Sequence, residues 1–126
     1  MGVLMTVSVS GAATAKPALK DVEAITEGLI ATGIAYEISE VCPSISARKL
    51  RGITYLLSLK SQASELGYSD AEIEAYVDDK TEQKRLEALA RARLAEMGAE
   101  VGNTQTYCVV GQAEITKDST IGRLLR

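Results

Sequence analysis

Histidine is absent from all 126 residues of the chain. Its absence removes the commonest general base and the commonest transition-metal ligand together, and excludes haem attachment through C-x-x-C-H. Phenylalanine and tryptophan are absent too, and five tyrosines are the whole aromatic content. The core must therefore come from Leu, Ile, Val and Ala, which fit readily between helices. The two cysteines, Cys42 and Cys108, have no C-x-x-C spacing, so a zinc site would have to be completed by carboxylates. There is no G-x-G-x-x-G, no P-loop and no D-x-[DN]-x-[DN]-G calcium loop. No cofactor and no metal are expected, and the chain is read as a non-enzyme.

Positive charge is also short. The formal net charge is -3 with a pI near 5.0, so no overall field attracts nucleic acid or anionic lipid, and no nucleic-acid partner is expected. No stretch reaches the ~20 apolar residues that a membrane-spanning helix needs, which predicts no transmembrane segment in the mature chain. What is present is ordinary for a soluble domain: 46% hydrophobic and 25% charged residues, at a length that suits one core.

Residues 1–15, MGVLMTVSVSGAATA, contain a short apolar run from Val3 to Val9 and end in Ala13-Thr14-Ala15. A short h-region before an A-x-A site predicts a signal-peptide remnant, cleaved before Lys16, and hence export to the bacterial periplasm. The basic n-region of such signals is missing, and the alternative is a small-residue tail on a cytosolic domain. Residues 16–126 then form a single helical domain. Two cysteines far apart in sequence suit one structural disulfide in an oxidising compartment, Cys42 to Cys108. Two buried free thiols are the alternative.

Helical periodicity runs through the domain. From Leu19 to Val41, Val22, Ile25, Leu29, Ile30, Ile34, Ile38 and Val41 form a wide apolar stripe. Gly28 and Gly33 in it allow close helix contact, and Pro43 stops it. Ser44 is a good N-cap for a second helix to about Glu65, with Leu50, Ile53, Leu57, Leu56, Ala63 and Leu66 as its apolar face and Gly67 as its left-handed terminator. Ser69-x-x-Glu72 reads as a capping box for a third helix with Ile73, Tyr76 and Val77 inward. Leu86 is out of phase with Val77, so a break is expected at Asp78–Thr81 before a fourth helix bearing Leu86, Leu89, Ala90, Leu94 and Met97. Asn103 or Thr104 can cap a fifth, through Tyr107, Cys108, Val110 and Ile115. A short last element covers Ser119 to Leu125. The expected fold is all-α: a compact bundle of about five helices stapled by one disulfide.

Few residues suggest chemistry. Ser46 and Lys49 have S-x-x-K spacing, yet no supporting S-D-N or K-T-G follows. Carboxylates such as Glu23/Glu27 and Glu37/Glu40 would have to converge in a cleft to hydrolyse anything. Exposed helix faces, helped by pairs such as Glu87 with Arg91, explain them, and Arg48, Lys49 and Arg51 read as a solvated face. The tail Ile121, Arg123, Leu124, Leu125 and Arg126 mixes apolar and basic residues, and either caps the core or contacts a partner.

The segments Cys42-Pro43-Ser44-Ile45-Ser46-Ala47-Arg48, Gly52-Ile53-Thr54-Tyr55-Leu56, Gly67 through Val77, Tyr107-Cys108 and Ile121 through Leu125 carry a resemblance. They resemble a family of small exported alphaproteobacterial proteins, a domain of unknown function. The resemblance covers most of the mature chain; it implies a bacterial envelope location and supplies no activity. Periplasmic acid-stress chaperones are an architectural analogy only. The expected function is a non-catalytic periplasmic protein that binds another protein, as an accessory component of an envelope or membrane complex. The alternative is an acid-responsive periplasmic chaperone.

Overall fold

The computed structural model describes residues 2, 3 and 16–126. The signal-peptide reading of residues 1–15 lies outside them, save for Gly2 and Val3. A 3-10 turn, Leu19–Asp21, leads into α1 (Glu23–Val41), followed by α2 (Lys49–Glu65), α3 (Asp70–Val77), α4 (Lys80–Met97), α5 (Thr104–Lys117) and the one-turn α6 (Thr120–Arg123). The described residues contain two isolated bridges and no strand. The fold is all-α, as expected.

The central element is α1. Its apolar and small residues are spread too widely for one stripe, so Ile25, Gly28, Ile30, Ile34, Ala35 and Ile38 are all buried. A helix apolar on most sides must be covered on most sides, and α2, α4, α5, α6 and the 3-10 turn all pack against it. The would-be Cβ of Gly28 lies 2.6 Å from a Leu59 methyl, so α2 approaches there as no larger residue would allow. Around Ile34 and Ile38 gather Leu94 of α4, Tyr107 and Val110 of α5, and Leu124 and Leu125 of the tail. A smaller cluster joins Leu19, Ile25, Leu59, Ala63, Tyr68 and Ile73, and Tyr55 touches both.

Most helix boundaries follow local signals. The Ser69–Glu72 capping box forms in both directions. Asp79 caps α4 by accepting from the Glu82 N–H at 3.1 Å, which makes the expected break real. Gly67 and Gly98 take the left-handed conformation after α2 and α4. Asn103 occupies the N-cap position of α5 without a side-chain cap; the Thr106 hydroxyl serves that corner, accepting from Glu100 N–H at 2.8 Å.

The second helix departs from expectation. It begins at Lys49, and Ser44 caps nothing. Residues 45–48 are instead extended and pair with the chain's last residues. The Ser46 N–H donates to the Arg126 carbonyl at 2.8 Å, Arg126 N–H returns a bond to Ser46 at 2.9 Å, and Arg48 N–H donates to Leu124. Backbone bonds to the tail outweigh the single bond a serine cap would supply. The tail reaches this position because α6 folds flat onto α5: a Cβ on Gly122 would fall 2.0 Å from the Glu114 carbonyl oxygen. Ser119 fixes the turn, accepting from Gly122 N–H and donating to that same carbonyl.

The disulfide forms as expected. Cys42, just beyond α1, bonds Cys108 on α5, with the two Cα atoms 5.2 Å apart. Cys42 is fully buried. On the chain-entropy estimate, closing the 66-residue separation stabilises the fold by about 4 kcal/mol, a large part of what a domain of this size possesses. Replacing both cysteines by Ala should lower the unfolding free energy by about that amount, read from chemical denaturation with and without reductant. Reductant should destabilise the wild type to the same level and leave the variant unchanged.

Candidate functional site

A helix on the outside of a bundle normally has one apolar stripe, facing inward. Helix α2 has two. Tyr55, Leu59 and Ala63, four residues apart, face α1, and the last two are buried. On the far side Leu50, Ile53 and Leu57 stand 83%, 56% and 59% exposed. Their three- and four-residue spacing lines them up as a continuous seam along the helix. Of the expected apolar face, Leu50, Ile53, Leu56, Leu57, Ala63 and Leu66, Ala63 alone is buried and the other five are exposed. The reason lies in α1, whose Gly28 notch accepts Leu59; seating Leu59 there turns Leu50, Ile53 and Leu57 to solvent.

Beside the seam lies a groove of about 440 Å³, walled by Ile53, Leu56 and Leu57 on one side and Val77 of α3 on the other, with Leu59, Ala63 and Ile73 in its floor. Its lining is apolar except for Lys60 and the Tyr76 hydroxyl. Exposed apolar surface of this continuity marks an interaction site more often than chance. The two ends of the face differ in charge. At the start of α2 stand Arg48, Lys49 and Arg51, with Arg123 and Arg126 of the tail held near by the Arg48 Nε bond to Leu125 O (3.1 Å) and the Arg51 bond to Arg123 O (3.2 Å). At its other end lie Glu65 and the acidic α3 residues Asp70, Glu72 and Glu74. Cations in the first turn oppose the helix dipole, so they are not there for α2's own stability.

The groove's back wall is pinned by carboxylates. Glu82 is buried where α3, α4 and the 3-10 turn meet; it accepts from Tyr76 Oη at 3.0 Å and from Arg85 Nε at 2.9 Å, while Arg85 also reaches Lys20 O. The Arg85 hydrogen bond holds the Glu82 carboxyl below the usual range, against the opposing effect of burial. Burial, then the bond to Glu82, pushes the Tyr76 hydroxyl well up. Lys16 bonds both oxygens of Glu72 at 2.9 and 3.1 Å and lies over the Tyr68 ring, while Tyr68 Oη donates to the Pro17 carbonyl. The Lys16 hydrogen bond, with help from Ser69 N–H, lowers Glu72. Arg93 on α4 grips Glu27 on α1 through two hydrogen bonds and lowers it likewise.

The other sequence candidates sit apart from this face or are absorbed by the fold. Ser46 is in the extended segment and Lys49 opens α2, so no helical turn brings them together. Arg48 and Arg51 bind tail carbonyls rather than forming a purely solvated face. Glu27 pairs with Arg93, not with Glu23, and the Glu87–Arg91 pair is not among the ion pairs of the described residues. Among those residues no three of His, Cys, Asp and Glu gather as metal ligands would, and no helix is long and apolar enough to cross a membrane. Of the tail residues read as a partner contact, Leu124 and Leu125 are buried and Ile121 half-buried, which leaves only Arg123 and Arg126 exposed. The tail caps the core because Gly122 lets it fold back, and Leu124 and Leu125 offer a partner no surface. The α2 seam was visible in the sequence as an apolar pattern, but not its direction.

The chain is thus an α-helical bundle closed by one disulfide, with an unpaired apolar seam on its second helix. It belongs to a family of unknown function (DUF5333), whose model matches residues 17–126. No curated protein and no solved structure matches it.

The carboxylates predict an acid limb. A glutamate whose folded-state pKa lies below its unfolded value of about 4.3 contributes stability that is complete above that pH and is lost as pH falls through the folded value. Glu27, Glu72 and Glu82 all have that sign. Thermal melts should therefore be level near neutrality and fall below about pH 4.5. Glu82→Gln should cost about 1–2 kcal/mol at neutral pH and make the acid limb shallower.

Proposed function

We propose that the chain is a non-catalytic helical protein of the bacterial periplasm that binds another protein through the outer face of α2, as an accessory component of an envelope complex. The observation that carries this reading is the exposed seam of Leu50, Ile53 and Leu57 beside the Val77 groove. Two further features support it. The paired cysteines suit an oxidising compartment, and the buried carboxylates Glu82 and Glu114 are occupied by Arg85 and Lys117, which leaves them to structure rather than to proton transfer.

A photo-cross-linking residue at Leu57, introduced into the chain expressed in a bacterial host, tests the binding face. A covalent protein adduct from Leu57, with none from Gln112 on α5, is the expected result; no adduct from Leu57 rejects the reading. The same preparation, alkylated without reduction, should have an intact mass that begins at Lys16 and carries no alkyl group. A mass that retains Met1 with two alkylated thiols rejects the periplasmic location.

The pinned back wall favours a second reading, an acid-responsive chaperone. Neutralising Glu72 and Glu82 releases the lead and α3, and that widens the groove onto Leu59, Ala63 and Ile73. It predicts suppressed aggregation of an unfolded client near about pH 3, with the onset moved to higher pH in Glu72→Gln/Glu82→Gln. A client that aggregates equally with and without the protein at that pH rejects this reading.

A further inference from the structure

The chemistry of the α2 face points to its occupant. Along the roughly 26 Å of this 17-residue helix, the balance of charge changes sign: Arg48, Lys49, Arg51 and Arg126 stand at one end, and Glu65, Asp70 and Glu74 outnumber Lys60 at the other, while Arg123 is paired with Asp118. Between the two lie Leu50, Ile53 and Leu57. A surface with an apolar middle and opposite charges at its ends is complementary to itself when turned end for end. A two-fold axis across the seam is the commonest symmetry of protein assemblies, and makes each contact occur twice. Antiparallel α2 helices then turn each basic end toward the other copy's acidic half, whereas parallel helices would set cation against cation. In the middle, Leu50 of one copy meets Leu57 of the other and Ile53 lies near the axis, so the exposed seam becomes the dry centre of the interface with its charges at the rim.

We propose that the protein bound by the α2 face is a second copy of this chain, docked antiparallel across Leu50, Ile53 and Leu57. This rests on the reading that the face binds protein, and names the partner. The charged ends set the direction of docking and the apolar seam supplies the attraction. Helix α3 flanks the seam through Val77, so the groove receives side chains from the rim of the second copy.

Sedimentation velocity of the full chain over a concentration series tests the proposal. A dimer is expected, and Ile53→Asp, at a position already exposed and so harmless to folding, should weaken it by tenfold or more. Circular dichroism and the intact disulfide check that the variant is folded. The charged ends have their own test. Lys49→Glu/Arg51→Glu should weaken the dimer, and adding Asp70→Lys/Glu74→Lys to the same chain should restore it, since each copy then presents the inverted pattern to the other. A chain that stays monomeric throughout, a dimer indifferent to Ile53→Asp, or charge reversal without rescue overturns the proposal. If the chain is monomeric but Leu57 still cross-links to protein, the face binds a different partner and only this inference falls. If neither is seen, the binding reading falls with it.

Discussion

Helix α1 offers apolar or small side chains around most of its circumference, and that demand for cover organises the molecule. No single neighbour can bury Ile25, Ile30, Ile34 and Ile38 at once. Helix α4 takes one side, α2 a second, α5 and α6 a third, and the 3-10 turn closes the N-terminal end. With no Phe or Trp to span a gap, cover has to come from close approach, hence glycine against leucine at Gly28 and backbone against backbone at Gly122. Such contacts hold only if the elements are kept at short range, and the Cys42–Cys108 bond does this at the end of α1 where the hydrophobic cluster meets the tail.

The cost of wrapping one helix falls on another. Helix α3 leans on α2 and the 3-10 turn rather than on the main cluster, and α2 reaches α1 with only one of its two apolar stripes. A bundle that spent its remaining helices on α1 has none left to cover Leu50, Ile53 and Leu57. The exposed seam is therefore a product of the same constraint that builds the core, and the carboxylate contacts behind it keep α3 in place as the groove's far wall.

How far the sequence discloses all this depends on the range of the signals. Capping at Ser69 and Asp79, the stop at Pro43 and the spacing of α1 and α4 are local, and each was legible. The cysteine pairing was legible from number and separation. Two features were not. Ser44 has the side chain of an N-cap, but residues some eighty positions away supply better hydrogen bonds to its neighbours, and no local pattern reports them. The apolar residues of α2 likewise read as one face, and nothing local shows that Leu59 and Ala63 turn inward while Leu50, Ile53 and Leu57 turn out, because the answer lies in the Gly28 notch of another helix. The tail's mixed composition left core and partner open, and burial of Leu124 and Leu125 resolves it through Gly122.

The antiparallel bridge between Ala47 and Leu125 has a consequence for timing. Synthesis delivers the chain from its N-terminus, yet Ile45 and the end of α1 are covered by Leu124 and Leu125, some eighty positions further along. A nascent chain with residues 1–110 in hand can coil its helices but cannot close the core around Ile38, and its half-disulfide has only just met its mate. Contacts of such long sequence separation are slow to form and come late. The domain therefore closes only once residues 121–126 have been made, and the surface that they cover stays open to water until then.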